Sequence, residues 1–172
     1  MHLNIIQYYY SQLKQNSLEA DVDNMWLNIL PLYFEARKNY GIEQQSRPWP
    51  GVVKIRPDFT LRYIKNGAPK KVVLIEDKRV SDESSSAVWA EAVQQVTDYM
   101  TVARASQYKK DSPIEIMYAI VTVGHYSRFY ELHPGEQTLR DYPGVNGKAL
   151  EFKEHEESID ALLIELVQKT SS

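Results

Sequence analysis

Two rhythms of apolar residues run along this chain, and each predicts its own kind of element. Over residues 3–15 and again over 22–39 the apolar side chains return every three or four positions, the spacing of one helix face. In the second stretch Trp26, Ile29, Leu30, Tyr33 and Phe34 share that face, and Pro31 would kink the helix or start it afresh. The rhythm then shortens. Residues 41–45, 53–63 and 71–78 read as strands, and Asn66-Gly67 between the last two is a strong hairpin signal. After Ser86, positions such as Trp89, Val93, Val96 and Met100 restore helical spacing for about five turns. Residues 114–123 ("IEIMYAIVTV") form an apolar run expected as a buried strand. Residues 127–132 follow it as a hairpin partner or as the next strand after a tight turn at 124–126. A polar region with Pro134-Gly135 and Pro143-Gly144 leads to an amphipathic helix over 158–169, with Ser158 as its cap.

Helices, a hairpin, a long helix and two more strands predict a three-layer α/β fold. The central sheet is expected to be mixed and flanked by helices, because the Asn66-Gly67 turn is antiparallel while the long helix permits a crossover. Neither the loop at 44–50 ("QQSRPWP") nor the break at 81–86 ("SDESSS") is long enough for a linker. At 172 residues the chain suits one core and is short for two. A single domain over 1–172 is therefore expected, with 1–25 as a helical extension and 150–172 carrying the last helix.

The pattern breaks at one place. The apolar run of residues 72–75 ends in Glu76-Asp77-Lys78, three charges at the end of a buried strand, and Pro57-Asp58 lies on the strand paired with it. Alternation sends Glu76 and Lys78 to one face and Asp77 to the other. If the pairing brings Asp58 to the face of Glu76, two carboxylates and an ammonium converge. Close carboxylates repel, and a divalent cation relieves the repulsion; Mg²⁺ suits such oxygen ligands and bridges readily to phosphate. The lysine could then orient or deprotonate a water, or stabilise charge developing at phosphorus.

Pro57-Asp58, the 18-residue step to Glu76, one intervening residue and Lys78 resemble the motif of the PD-(D/E)XK nuclease superfamily. "QVTDY" on the next helix, with Gln95 and Tyr99 four residues apart, is similar to the Q-x-x-x-Y element of the RecB-like and lambda-exonuclease-like branch. The histidine that precedes the aspartate in RecB-like members has no counterpart nearer than His2. The order of elements from about residue 27 to 132 also resembles this restriction-endonuclease-like fold. The resemblance implies a Mg²⁺- or Mn²⁺-dependent phosphodiesterase acting on nucleic acid, DNA in preference to RNA. It implies Asp58 and Glu76 as metal ligands with the main-chain carbonyl of Asp77, Lys78 as the catalytic lysine, and Gln95 and Tyr99 in support. A further carboxylate from the first core helix falls to Glu35 by order along the chain, with Glu43 second.

Simpler readings stand beside these. Residues 76–79 could be a solvated strand end with local ion pairs, Tyr99 a core aromatic and Gln95 a surface residue. The alternative function is a catalytically silent module of this fold, an effector or toxin-type domain for example, that grips nucleic acid or a protein partner. A third is a self-associating structural domain using its tyrosine-rich first helix. The hydrophobic fraction of 43% and charged fraction of 25% are those of an ordinary globular protein, and the net charge of −3 speaks against a general nucleic-acid binder. Lys65, Lys70 and Lys71 in the hairpin, with Lys109 and Lys110, could form a phosphate-binding rim or simply a solvated loop. His125 and His133, without a third ligand at metal spacing, are expected to be non-catalytic. No phosphate-cradling glycine loop and no G-x-S-x-G occurs, which excludes a P-loop and leaves a serine hydrolase without support. Zero cysteines excludes disulfides. With no 18-residue apolar run and no secretory leader at its start, a location inside the cell and no membrane contact are expected.

Overall fold

The computed structural model describes residues 3–44, 56–107 and 115–172. His2, most of the 44–50 loop, residues 53–55, Lys109, Lys110 and Ile114 lie outside the described residues.

Helix α1 (Asn4–Gln12) leads into α2 (Glu19–Tyr33). The onset at Glu19 differs from the expected one at Val22. The carboxylate of Asp21 reaches back to accept from the Leu18 backbone N–H at 2.9 Å, and Glu19 and Asp21 place negative charge where the helix dipole favours it. Pro31 does not start the helix afresh, since α2 runs through it. It sits in the last turn of α2, and a separate one-turn 3₁₀ helix, Ala36–Lys38, occupies what the periodicity assigned to a continuous helix. Asn39 in the left-handed region (φ 67°) then turns the chain into the sheet.

Among the described residues the sheet has seven strands. Strands β1 (Tyr40–Gln44), β2 (Phe59–Lys65) and β3 (Ala68–Lys78) form an antiparallel meander, turned between β2 and β3 by Asn66 and Gly67, both at positive φ. Helix α3 (Ser86–Gln107) crosses over, so β4 (Met117–Val123) lies parallel to β3 with Asp77 beside Thr122. Its N-cap is Ser85, whose hydroxyl accepts from the Val88 N–H. Strand β5 (Tyr126–Leu132) returns antiparallel, and two-residue strands β6 (Arg140–Asp141) and β7 (Leu150–Glu151) pair with it. Those two short strands lie inside the region expected to be irregular. Helix α4 (Glu156–Ser171) starts two residues earlier than expected, with His155 rather than Ser158 before its first turn.

Two apolar cores cover the two faces. Val73 and Ile75 of β3, with Ile120 and Phe129, pack under Trp26, Ile29 and Leu30 of α2 and Leu163 of α4. Leu74, Ala119 and Val121 pack under Val96 and Met100 of α3. This is the expected three-layer α/β arrangement with a mixed central sheet, and its alternation aims consecutive residues of β3 into different layers. None of the described helices is long and apolar enough to cross a membrane.

Candidate functional site

The C-terminal end of β3 delivers the charged residues, and the alternation that fills the two cores decides where each goes. Phe59 pairs with Ile75, which sets Asp58 abreast of Glu76 at the sheet's edge of order. Asp58 Oδ2 accepts from the Asp77 backbone N–H at 2.7 Å, tying the start of β2 to the end of β3. On the α3 side Lys78 Nζ donates to Glu76 Oε1 at 2.7 Å and to Gln95 Oε1 at 2.9 Å. A lysine only donates, so it dictates the orientation of the Gln95 amide, whose Nε2 then donates to Glu91 Oε1 at 3.0 Å. Tyr99, one turn beyond Gln95, is fully buried and its hydroxyl has no hydrogen-bond partner. Burial, then the charges of Glu76 and Asp58, push its pKa up. Asp58, Glu76, Lys78, Gln95 and Tyr99 are thus together.

Glu35 is elsewhere. It pairs with Lys38 at 2.6 Å, three residues along the same segment, and Glu43 pairs with Arg62 at 2.5 Å across β1 and β2. The α2 carboxylates that act on the cluster are Glu19 and Asp23. Glu19 is among the charges that raise the pKa of Asp58 and Glu76. Asp23 is one turn further along α2, 3% exposed, with carboxylate oxygens grouped with those of Asp58 and Asp77 inside 4.8 Å. The signal that would have found both is their i,i+4 spacing at the helix's first turn. It was hidden because the apolar periodicity starts only at Val22.

Burial dominates the electrostatics. Glu76, 4% exposed, has its pKa raised to about 7 by desolvation and by Asp58's charge, against the opposing pull of Lys78. Asp23 rises to about 7 by burial and the charge of Asp58. Burial and the charges of Asp58 and Asp23 hold Asp77 well above the carboxylate range, and burial raises Asp58 too. Desolvation alone would lower Lys78, but its bond to Glu76 and the surrounding carboxylates carry its pKa above the usual value. Lys78 is therefore an ammonium at neutral pH.

Buried polar atoms are nearly always hydrogen-bonded. Here Glu76 Oε2, Asp23 Oδ1, both Asp77 carboxylate oxygens and Tyr99 Oη are buried without a partner, all at one end of one strand. Hard oxygen donors in this number, with no sulfur and no imidazole among them, fit a Mg²⁺- or Mn²⁺-type cation.

The other candidates from the sequence do not join this cluster. Lys65 and Lys70 pair with Glu115 at 3.2 and 3.4 Å, and Lys71 is buried, all at the far end of β3 from Lys78. His125 pairs with Glu83 at 2.6 Å and His133 with Glu131 at 2.8 Å. A cavity of about 610 Å³ lies between α1 and the start of α4, lined by Ile6, Tyr10, Met25 and Phe152 among others. None of the clustered carboxylates lines it.

No protein-family model matches the chain, and no curated protein sequence does. Among solved structures, the type IIG restriction endonuclease BpuSI superposes on 92% of this chain with a TM-score of 0.53 at 16% sequence identity. The fold is restriction-endonuclease-like. The chain spans 17% of the length of that enzyme.

Proposed function

We propose that this chain is a metal-dependent nuclease of the PD-(D/E)XK type, with Asp58, Glu76 and Lys78 at its centre and DNA as the preferred substrate. The observation that carries the reading is the junction of Lys78 with Glu76 and Gln95 beside an Asp58 locked to the Asp77 backbone. A solvated strand end would leave these side chains in water. Instead the side chains of Glu76 and Lys78, taken without their backbone, are 5% and 14% exposed, a cost that structure alone does not require.

Asp58, Glu76 and the main-chain carbonyl of Asp77 are the groups that would hold the cation. Bound there, a divalent ion would supply Lewis acidity and a water of lowered pKa for attack on a phosphodiester. The ammonium of Lys78 stabilises negative charge that builds on phosphate oxygens and orients the attacking water, and its raised pKa makes it a poor proton acceptor. Gln95 holds that ammonium in place and is itself braced by Glu91. Tyr99 walls the site from the α3 side. BpuSI, a restriction endonuclease of the same fold, supports nucleic acid as the substrate.

The test is a cleavage panel of plasmid, single-stranded DNA and RNA with Mg²⁺, Mn²⁺ or EDTA, run beside a gel-shift assay. Cutting with either metal, its loss in EDTA and its loss in Lys78→Ala are expected. A folded wild type that shifts nucleic acid but cuts nothing would put the silent binding module in place of the nuclease.

A further inference from the structure

The carboxylates at the end of β3 divide between the two faces of the sheet. Glu76 points with Lys78 toward α3, whereas Asp77 points toward α2, where Asp23 meets it. Asp58 lies within reach of both groups. The surroundings of Asp77 are polar in a layer that is otherwise apolar. Thr122 stands beside it on β4, accepts from Trp26 Nε1 at 2.8 Å and shares a 3.1 Å hydrogen bond with Ser127 of β5. Thr122 is also among the groups that act on Asp77, pulling its pKa down against the effect of burial. Asp77 is fully buried with both oxygens unpartnered, and Asp23, 3% exposed, has one oxygen unpartnered.

We infer that Asp23, Asp58 and Asp77 form a divalent-cation site of their own on the α2 face of β3, distinct from the position between Asp58 and Glu76, with Asp58 shared between the two. One oxygen from each of the three aspartates lies within 4.8 Å of the other two, close enough to share a single cation. Charge points the same way. Glu19, Asp23, Asp58, Glu76 and Asp77 against Lys78 leave four negative charges when all are ionised, the charge of two divalent ions rather than one. An ion here would fix the N-terminal turns of α2 to the end of β3 and hold Asp58 from behind. The site involves no substrate and stands whether or not the protein cuts nucleic acid.

Counting bound Mn²⁺ by the loss of free-ion electron paramagnetic resonance signal tests it on the full chain. Wild type is expected to bind two equivalents. Asp23→Asn, an isosteric change that removes a buried charge, should bind one and keep the ion that depends on Glu76. Glu76→Gln should also bind one, and keep the ion that depends on Asp23. Wild type binding no ion, or binding one equivalent that Asp23→Asn retains, overturns the proposal. So does an Asp23→Asn protein that binds as many ions as wild type. Loss in Asp23→Asn but not in Glu76→Gln would sustain this site and remove the metal position on which the nuclease reading depends.

Discussion

At the scale of single residues, the contacts of Lys78 separate chemistry from structure. Its ammonium is pinned by one carboxylate and one amide, so removing the amide leaves the charge in place but free to move. Gln95→Ala is expected to slow cleavage by about 10- to 100-fold, the usual cost of a lost supporting partner. Lys78→Ala should lose about 10²- to 10³-fold or more, as for a lost transition-state donor. Equal losses in the two variants would contradict the positioning role of Gln95. Glu76 makes a second prediction through pH. Its folded pKa of about 7 lies above the ordinary 4.5, so the folded protein binds its proton more tightly than the unfolded chain does. Stability from this group is full below about pH 4.5 and is lost as pH rises toward 7, at a cost on the order of 3 kcal/mol. In EDTA, the melting temperature of wild type should fall relative to that of Glu76→Gln, which cannot titrate, across that window. Parallel curves would show that Glu76 is not held in the buried setting described.

At the scale of elements, the end of β3 is kept in place by the turn that follows β4. Gly124 at φ +58° donates its N–H to the Lys78 carbonyl at 3.0 Å. A Cβ there would come within 2.8 Å of the Val80 backbone, as well as 2.2 Å from Glu83 Oε1, and the backbone cannot swing aside. Gly124→Ala should therefore destabilise by about 3 kcal/mol and lower the melting temperature by about 6–12 °C. A change of under a degree or two would mean that this turn does not hold the strand end. Legibility in the sequence follows the same division. The β2–β3 hairpin and α3 could be read because Asn66-Gly67 and the Trp89–Met100 periodicity are strong local signals. Strands β6 and β7 could not, since two residues have no alternation to display. Asp58, Glu76 and Lys78 stood out as charges placed against an apolar pattern, whereas Gln95 and Tyr99 were picked out only by the likeness of "QVTDY" to the Q-x-x-x-Y element. Glu19 and Asp23 did not, because an acidic first turn looks like ordinary helix capping until the fold lays it beside β3. Choosing Glu35 by order alone failed to anticipate that α2 ends before it.

At the scale of the whole molecule, the charge balance sets how nucleic acid can be approached. The net charge is −3, and the carboxylate end of β3 concentrates negative potential where a phosphate would have to sit. Lysines of the β2–β3 turn are engaged with Glu115 and face away from it. On the proposed reading, cations bound at the strand end would be the groups that meet phosphate. DNA affinity is expected to rise about tenfold or more when EDTA is replaced by Ca²⁺, which occupies oxygen sites without supporting rapid cleavage, measured by gel shift at constant ionic strength. Affinity independent of the cation would place the binding surface elsewhere on the fold.

The central claim is that the end of β3 is a phosphodiester-cutting site organised by Asp58. Its most direct test is the initial rate of supercoiled-plasmid nicking in Mg²⁺ for wild type and Asp58→Asn side by side, with folding of both checked by circular dichroism. Nicking by wild type and a fall of about 10³-fold or more in Asp58→Asn is the predicted result. Equal rates in the two proteins, or no nicking by folded wild type in Mg²⁺ or Mn²⁺, would contradict it.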